Sequence, residues 1–139
     1  MQKNKYRLED YPLRLEERLR YRDTDAQGHI NNAVYVTLLE VGRVQLLRDP
    51  KHKLGHGKTM FMMAHISVDY LAELTWPNTV TIGTRVIHIG TTSFTTEQVI
   101  FVGDTCVAVG KTVIVTADRE TRQKKPLSEE TKAALKSIM

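Results

Sequence analysis

One stretch of this sequence, residues 33–47, has the length of a helix and apolar side chains around nearly its whole circumference. These apolar residues are Ala33, Val34, Tyr35, Val36, Leu38, Leu39, Val41, Val44, Leu46 and Leu47. A helix that is apolar on every side is buried, because a surface helix keeps a polar face toward water. Asn31 or Asn32 can cap its start with a side-chain oxygen, and Asp49-Pro50 ends it because proline disfavours helix in the residue before it. The rest of the chain therefore has to fold around this helix.

The remaining sequence predicts strands that can cover such a helix. Residues 13–22 alternate apolar and charged side chains, and a period of two is typical of a half-buried strand. Four longer strands follow without a helix between them, which favours an antiparallel sheet; they are predicted at residues 60–74, 79–89, 93–102 and 105–117. The pattern is that of an α+β fold. Part of the helix surface, or an edge of the sheet, would still need cover from another subunit.

Shorter segments connect and flank these elements. Residues 1–12 are polar and predict an irregular lead-in, and residues 50–59, which contain proline, glycine and lysine, predict a loop. After Pro126, Ser128 can cap a short final helix over residues 128–137. With 139 residues the chain can bury a sizeable core, so we expect residues 1–139 to form one domain.

Composition and charge argue against several classes of function. No stretch approaches the roughly 18 apolar residues of a membrane span, and the N-terminus lacks an apolar signal region, so we expect no membrane association and a cytoplasmic location. The net charge of +4 favours an anionic ligand, but no basic face interleaved with aromatic residues indicates nucleic-acid binding. No histidine has a partner at metal-ligand spacing, so no metal site is predicted. The one cysteine, Cys106, lies in an apolar strand and is expected to be a packed thiol.

The segment just before the helix concentrates polar side chains that can carry chemistry. It contains Asp23, Asp25, Gln27, Gly28, His29, Asn31 and Asn32. A carboxylate and an imidazole are thus expected beside the positive end of the helix dipole, which suits the binding of a carbonyl group or an anion. The sequence has no G-x-S-x-G motif, so a hydrolase with a serine nucleophile is not supported.

This segment also resembles a known family. Its pattern Y-x-D-T-D-x-x-G-H-I-N-N-x-x-Y is similar to the signature of hotdog-fold acyl-CoA thioesterases of the 4-hydroxybenzoyl-CoA thioesterase-like group. The similarity extends from about Leu13 to Ile138, although the later strands match mainly in pattern. The resemblance implies a hotdog fold, in which a curved antiparallel β-sheet wraps around a long central helix. It also implies a homodimer or homotetramer with the active site at the subunit interface, and no metal or organic cofactor.

The resemblance changes the interpretation of three residues in the turn. From the residues alone, a turn role explains Asp25 best, because aspartate is common in turns. The resemblance implies instead that Asp25 is the catalytic carboxylate, acting as a general base or a nucleophile, and desolvation would make a mostly buried carboxylate more basic. It implies that Gln27 orients water and that His29 donates to water or to the thioester oxygen, although a structural role explains His29 equally well. Asp23 is interpreted as a structural turn acid.

Candidate substrate-binding residues fall into two groups. Around the helix start, Gly28 would allow close backbone approach, the N–H groups from Ile30 to Ala33 are candidate oxyanion donors, and Asn32 and Tyr35 would line the site in a mainly architectural role. The acyl chain would lie beside the helix at Tyr35, Val36 and Leu39. A phosphorylated ligand would also need cations and hydroxyls, for which Lys58, Thr92 and Ser93 are candidates, although a solvated surface role explains Lys58 individually. Further basic candidates are Arg85, Arg119, Arg122, Lys124 and Lys125.

The resemblance favours an acyl-CoA thioesterase, which converts an acyl-CoA and water to a free acid and coenzyme A. One alternative is a thioesterase that acts on acyl carrier protein, because both carriers present the same phosphopantetheine arm. A second alternative, from another class, is a hotdog protein that binds acyl thioesters without hydrolysing them. Fold alone does not decide among these.

Overall fold

The computed structural model describes residues 5–52, 54 and 57–139. Parts of the predicted lead-in and of the predicted loop over residues 50–59 therefore lie outside the described residues. Within these residues, the chain forms two helices, five strands and two short 3₁₀ turns, at Leu8–Asp10 and Tyr21–Asp23. The main elements are β1 (Leu13–Arg18), α1 (Asn32–Arg48), β2 (Thr59–Tyr70), β3 (Thr79–Ile89), β4 (Ser93–Val102), β5 (Thr105–Asp118) and α2 (Glu129–Lys136).

The five strands form one sheet in the order β1-β3-β4-β5-β2, and every neighbouring pair is antiparallel. Strands β3, β4 and β5 follow one another as hairpins, and Gly103 turns the β4–β5 connection with a φ of 57°. Strand β2 pairs with β5, so the chain crosses the sheet between β2 and β3. The two edges of the sheet are therefore β1 and β2. This is the antiparallel α+β arrangement that the strand pattern predicts.

Helix α1 packs on one face of the sheet along its whole length. Near its start, Leu38 and Leu39 pack with Ile82, Ile100 and Ala108. Near its end, Leu46 belongs to a second cluster, which also contains Phe94, Ile114, Leu127 and Leu135 and so includes α2. Both clusters draw on the same side of the strands, because alternate residues of a strand point to the same face.

A glycine and a glutamine set how closely α1 approaches the sheet. The fully buried Gln98 of β4 donates from Nε2 to the Leu39 carbonyl oxygen at 2.8 Å and to Thr84 Oγ1 at 3.0 Å. A Cβ atom on Gly42 would lie 2.5 Å from Gln98 Nε2 and 2.8 Å from Ile82 Cγ2. Only a residue without a side chain fits between the helix and the sheet at this position.

The sequence predicts that α1 is buried on every side. Within a single chain, it is buried on one side only. The buried residues are Tyr35, Leu38, Leu39, Gly42, Arg43 and Leu46. Val44 is 42% exposed, and Val36 and Val41 are only half-buried. One five-stranded sheet covers one side of a helix, so this second apolar side stays uncovered.

The N-terminal segment packs on the face of the sheet opposite α1. Tyr11 is buried on this face against Val99, Phe101, Cys106 and Val109. The Tyr11 hydroxyl donates to Glu97 Oε1 at 2.8 Å, and Arg85 donates to the same oxygen through Nε at 3.1 Å and Nη2 at 2.7 Å. Arg85, a candidate ligand for phosphate, is therefore committed to an ion pair on the face away from α1.

Replacing Gly42 with alanine tests how closely α1 packs on the sheet. We expect Gly42→Ala to lower the free energy of unfolding by about 1–3 kcal/mol, because the added methyl overpacks a fully buried contact, although alanine is the better helix former by about 1 kcal/mol. Lys136→Ala, at an exposed position of α2, is the control and should change stability by less than about 0.5 kcal/mol. Urea unfolding of both variants measures the difference. An unchanged or raised stability for Gly42→Ala would contradict the close approach.

Candidate active site at the start of the central helix

The polar segment before α1 folds into a tight turn that closes on its own hydrogen bonds. The Asp25 N–H donates to the His29 carbonyl oxygen at 2.8 Å, and the Gly28 N–H donates to the Asp25 carbonyl oxygen at 3.2 Å. Gly28 has a φ of 84°, in the left-handed region that favours glycine, which gives this glycine a backbone role. The turn thus holds Asp25 and His29 side by side at the start of α1.

The Asp25 side chain is fixed through one of its two oxygens. Oδ1 accepts from the Gln27 N–H at 2.8 Å and from the His29 N–H at 3.2 Å. Among the residues that the structure describes, none donates a hydrogen bond to Asp25 Oδ2. One oxygen is therefore oriented by the turn while the other remains available.

Neighbouring residues attach this turn to the helix and to the sheet. Asn31 Oδ1 accepts from the Ala33 N–H at 2.9 Å, so Asn31 and not Asn32 is the helix cap. The Asp23 carboxylate accepts from the Arg20 N–H at 2.8 Å and from Arg20 Nη2 at 3.0 Å. Burial alone would raise the pKa of Asp23, but the bonds from Arg20 outweigh it and hold that pKa below its ordinary value. Asp23 therefore has the structural role that the sequence indicates.

The backbone N–H groups at the helix start are nearly all engaged. The Ile30 N–H donates to the Leu74 carbonyl oxygen, and the Asn31 N–H donates to the Asp23 carbonyl oxygen, both at 2.9 Å. The Ala33 N–H is taken by the cap. Of the candidate donors from Ile30 to Ala33, only the Asn32 N–H has no partner in the described part of the chain. The turn therefore leaves one free N–H at the positive end of the α1 dipole.

His29 has a carboxylate partner that sequence reasoning missed. Its Nε2 lies 2.7 Å from Glu73 Oε1, in the segment after β2, and a backbone bridge between His29 and Thr75 holds the two segments together. The pair is exposed, so its contribution to stability is small. It restricts the ring, however, because the nitrogen that faces Glu73 must carry a proton to donate. No spacing rule connects residues so far apart in sequence, and only the fold brings them together.

Tyr35, a candidate substrate-binding residue, lies in the first turn of α1. Tyr35 is buried, and its ring meets the ring of Tyr70 edge-on, with centroids 4.9 Å apart. Burial raises the pKa of Tyr35, which keeps its hydroxyl neutral. The Tyr70 hydroxyl donates to the Asn32 carbonyl oxygen at 3.3 Å and so connects β2 to the helix start.

Asp25 itself is exposed in the single chain. A single chain therefore does not provide the desolvation that would make the Asp25 carboxylate more basic. In the described part of the chain, the turn is bound to the segment after β2 through the Leu74 carbonyl oxygen and the His29–Thr75 bridge. Any further cover for this carboxylate has to come from a ligand or from another copy of the chain.

The candidates for phosphate binding lie at the other end of the molecule. Lys58 precedes β2, and its Nζ lies 3.3 Å from Glu120 Oε2. Ser93 pairs with Val115, and the Thr92 carbonyl oxygen accepts from the Thr116 N–H at 2.8 Å. Along an extended strand, the distance from the start of β2 at Thr59 to Tyr70 is more than about 30 Å. One chain therefore does not bring Lys58, Thr92 or Ser93 to the Asp25 turn.

Other kinds of site are not found in the part of the chain that the structure describes. Within residues 5–52, 54 and 57–139, no group of three or more histidine, cysteine, aspartate or glutamate side chains is arranged to hold a metal ion. In the same residues, neither helix has the length and apolar character needed to cross a membrane. Cys106 is buried, and burial raises the pKa of its thiol to about 11, so it is not a poised nucleophile.

A long helix packed on a five-stranded antiparallel sheet is the arrangement of a hotdog fold. A family model described as the thioesterase-like superfamily matches residues 19–135, and the chain belongs to this superfamily. No curated protein matches the chain.

Solved structures agree with this assignment. A thioesterase from Thermus thermophilus, complexed with coenzyme A and zinc, is 27% identical over 94% of this chain and 96% of its own, with a TM-score of 0.80. A thioesterase-superfamily protein from Jannaschia sp. CCS1 is 27% identical over 90% of this chain and 81% of its own, with a TM-score of 0.81. A Pseudomonas aeruginosa PAO1 protein, 24% identical over 94% of both chains, has a TM-score of 0.84 and supports the fold alone. The predicted hotdog fold is confirmed.

Two neighbouring asparagines test the geometry of the turn. We expect Asn31→Ala to lower the free energy of unfolding by about 1 kcal/mol, because it removes the side-chain oxygen that satisfies the Ala33 N–H. Asn32→Ala is the matched control and should change stability by less than about 0.5 kcal/mol, since Asn32 is exposed and does not cap the helix. Urea denaturation measures both. A larger loss for Asn32→Ala than for Asn31→Ala would show that the cap is assigned to the wrong residue.

Proposed function

We propose that this chain is an acyl-CoA thioesterase, which hydrolyses an acyl-CoA to a free carboxylic acid and coenzyme A. The observation that carries the proposal is that an oriented carboxylate, Asp25, and an N–H without a partner among the described residues, that of Asn32, both lie at the start of α1. Membership of the thioesterase-like superfamily supports the reaction class. The Thermus relative complexed with coenzyme A supports the choice of carrier.

The proposed reaction uses the turn in two ways. The carbonyl oxygen of the thioester accepts from the Asn32 N–H, and such a preorganised donor typically stabilises the developing oxyanion by about 3 kcal/mol. Asp25 Oδ2 then either takes a proton from the attacking water or attacks the carbonyl carbon itself, in which case water hydrolyses the resulting anhydride. Both routes break the carbon–sulfur bond and release the coenzyme A thiol.

His29 and Gln27 serve as positioning residues in this proposal. Glu73 holds the His29 ring at the edge of the turn, where the ring is able to donate to water or to the thioester. Gln27, exposed beside Asp25, is suited to orient the attacking water. Tyr35, with Val36 and Leu39 further along α1, supplies apolar surface for the acyl chain.

We further propose that two copies of the chain complete the site. The β1 edge is short and carries exposed charged residues at alternate positions, which disfavour pairing with another strand. The β2 edge is twelve residues long and exposes Met62, Met63 and Tyr70. Met62 and Met63 border the same cleft as the uncovered Val44 of α1. A long and largely apolar edge strand favours pairing with a second copy.

If the β2 strands of two copies pair, the candidate residues that one chain holds apart come together. Two identical antiparallel strands place the Thr59 end of one beside the Tyr70 end of the other. Tyr70 contacts the start of α1, so the Lys58 region of one copy would lie near the Asp25 turn of the other. The same contact would cover Asp25 and the exposed side of α1.

Replacing Asp25 with asparagine tests the catalytic proposal. We expect Asp25→Asn to lower kcat for acyl-CoA hydrolysis by roughly 10²–10⁴-fold, because the amide neither accepts the proton nor attacks the thioester. Release of free thiol from short, long and aromatic acyl-CoAs measures the rate. Asp104→Asn, the same change in an exposed hairpin turn, is the control and should leave the rate unchanged. Full activity in Asp25→Asn, or binding of acyl-CoA without thiol release by the wild type, would contradict the proposal.

A charge on the uncovered side of α1 tests the subunit contact. We expect Val44→Lys to weaken self-association at least about tenfold, because association would bury an unpaired ammonium group. Sedimentation equilibrium measures the dissociation constant, and far-UV circular dichroism checks that the fold is kept. Glu16→Lys, on the β1 edge, is the control and should leave the dissociation constant unchanged. A monomeric wild type at micromolar concentration would rule out the paired arrangement.

A further inference from the structure

A cleft of about 180 Å³ lies between the second half of α1 and the first half of β2. We call it the Arg43 cleft, and its walls include Arg43, Val44, Leu47, Phe61, Met63 and Ile114. Apart from Arg43, these side chains are apolar. Val44 and Met63 are exposed, so the cleft lies on the side of the chain that the proposed second copy would cover.

Arg43 places a buried positive charge in this cleft. The residue is only 7% exposed, and within the described part of the chain no carboxylate forms an ion pair with its guanidinium. Burial lowers the pKa of Arg43, because it disfavours the charged form of the side chain. A buried charge without an ion-pair partner costs free energy unless hydrogen bonds replace its hydration. The cleft therefore contains a charged donor that an incoming acceptor would stabilise.

The hydrogen bonds that Arg43 makes within the chain are long or weak. Its Nη1 donates to Gln98 Oε1 and to Thr112 Oγ1, both at 3.3 Å, which is longer than the usual range of about 2.7–3.2 Å. Its Nη2 lies 3.9 Å from Met63 Sδ, and a thioether sulfur is a weak acceptor. Met63 is 53% exposed and has an unbranched, flexible side chain that can move aside. An oxygen atom in the cleft would replace this sulfur as the acceptor for Nη2.

The Arg43 cleft lies in line with the Asn32 N–H along α1. Asn32, Val36, Glu40 and Arg43 follow one another at spacings of four, four and three residues, which places them on one flank of the helix. With a rise of about 1.5 Å per residue, Asn32 and Arg43 are about 16 Å apart along the helix axis. Carbon–carbon bonds are about 1.5 Å long, so an extended acyl chain of about a dozen carbons spans this distance. A thioester held at the Asn32 N–H would thus extend the far end of such a chain to Arg43.

We propose that the Arg43 cleft receives the far end of the acyl chain and that Arg43 selects acyl groups with a neutral oxygen there, such as a hydroxyl or keto oxygen. This selectivity rests on the proposed thioesterase function. An apolar pocket with a few placed polar groups is the usual form of a site that fixes the orientation of a small ligand. Glu40 also lines the cleft, and its negative charge disfavours a carboxylate at the same place. A neutral oxygen accepts from Arg43 without that repulsion.

Hydrolysis rates on matched pairs of substrates test this selectivity in the wild type. We expect kcat/KM for ω-hydroxydodecanoyl-CoA to exceed that for dodecanoyl-CoA at least about tenfold, because the hydroxyl accepts a hydrogen bond from a charged donor. ω-Hydroxyoctanoyl-CoA and octanoyl-CoA are the matched control pair. Their chains are too short to reach Arg43, so the hydroxyl should bring no preference. Equal kcat/KM values within the dodecanoyl pair, or a stronger preference for the analogue with a terminal carboxylate, would overturn the proposal.

Substitutions at Arg43 separate substrate selection from a structural role. We expect Arg43→Met to abolish the preference for the hydroxylated substrate, and Arg43→Lys, which keeps the charge, to reduce it. Arg48→Met removes an exposed arginine from the same helix and should leave the preference unchanged. Far-UV circular dichroism checks that each variant is folded. If the two Arg43 variants lower the rates on both members of the pair equally, so that their ratio is unchanged, Arg43 is structural and the proposal is wrong.

Binding without turnover separates this proposal from the proposed function. Calorimetric titration uses two thioethers that cannot be hydrolysed, S-dodecyl-CoA and S-(ω-hydroxydodecyl)-CoA. We expect the wild type to bind the hydroxylated thioether at least about tenfold more tightly, and Arg43→Met to bind both equally. If this preference is found but no thioester is hydrolysed, the assignment of the cleft stands and the thioesterase proposal fails. If thioesters are hydrolysed but the wild type binds both thioethers equally, the thioesterase stands and the proposed role of Arg43 fails.

Discussion

The close contact between α1 and the sheet at Gly42 is the constraint on which the rest of this structure depends. Gln98 reaches from β4 to the Leu39 carbonyl oxygen, and there is no room between them for a side chain on Gly42. The same amide accepts from Arg43 Nη1 at 3.3 Å, and Arg43 also donates to Thr112 Oγ1 at 3.3 Å. A buried polar network thus fixes the rotation of the helix as well as its height above the sheet.

Fixing the helix fixes the chemistry at its start. The Asp25 turn is attached to α1 by the Asn31 cap and to the sheet through the Ile30 N–H, so its position follows from that of the helix. These hydrogen bonds leave few polar groups of the turn without a partner in the described part of the chain. The proposed site uses the groups that the fold leaves free, which are Asp25 Oδ2 and the Asn32 N–H. A donor that is held in place before the substrate arrives needs no reorganisation during the reaction.

The sequence predicted the elements well because each has a local signal. The apolar run of α1, the period-two strands and the helix caps depend only on neighbouring residues. The sheet order, the burial of Arg43 and the pairing of His29 with Glu73 depend on contacts between distant segments, and no local pattern reports them. Lys58 and Thr92 were grouped with Asp25 by chemistry, yet one chain holds them at opposite ends. The distance between these residues is explained if two chains form the site together. A second copy of the chain would cover both the exposed side of α1 and the β2 edge.

Subunit mixing tests most directly whether the site is shared between two copies of the chain. Chains with Asp25→Asn and chains with Lys58→Met would be refolded together in equal amounts and assayed with acyl-CoA below KM. A shared site predicts recovery to about one quarter of wild-type activity, because each mixed dimer contains one site with a native Asp25 and a native Lys58. Activity no higher than the mean of the two parent variants would contradict a shared site and place the whole reaction within one chain.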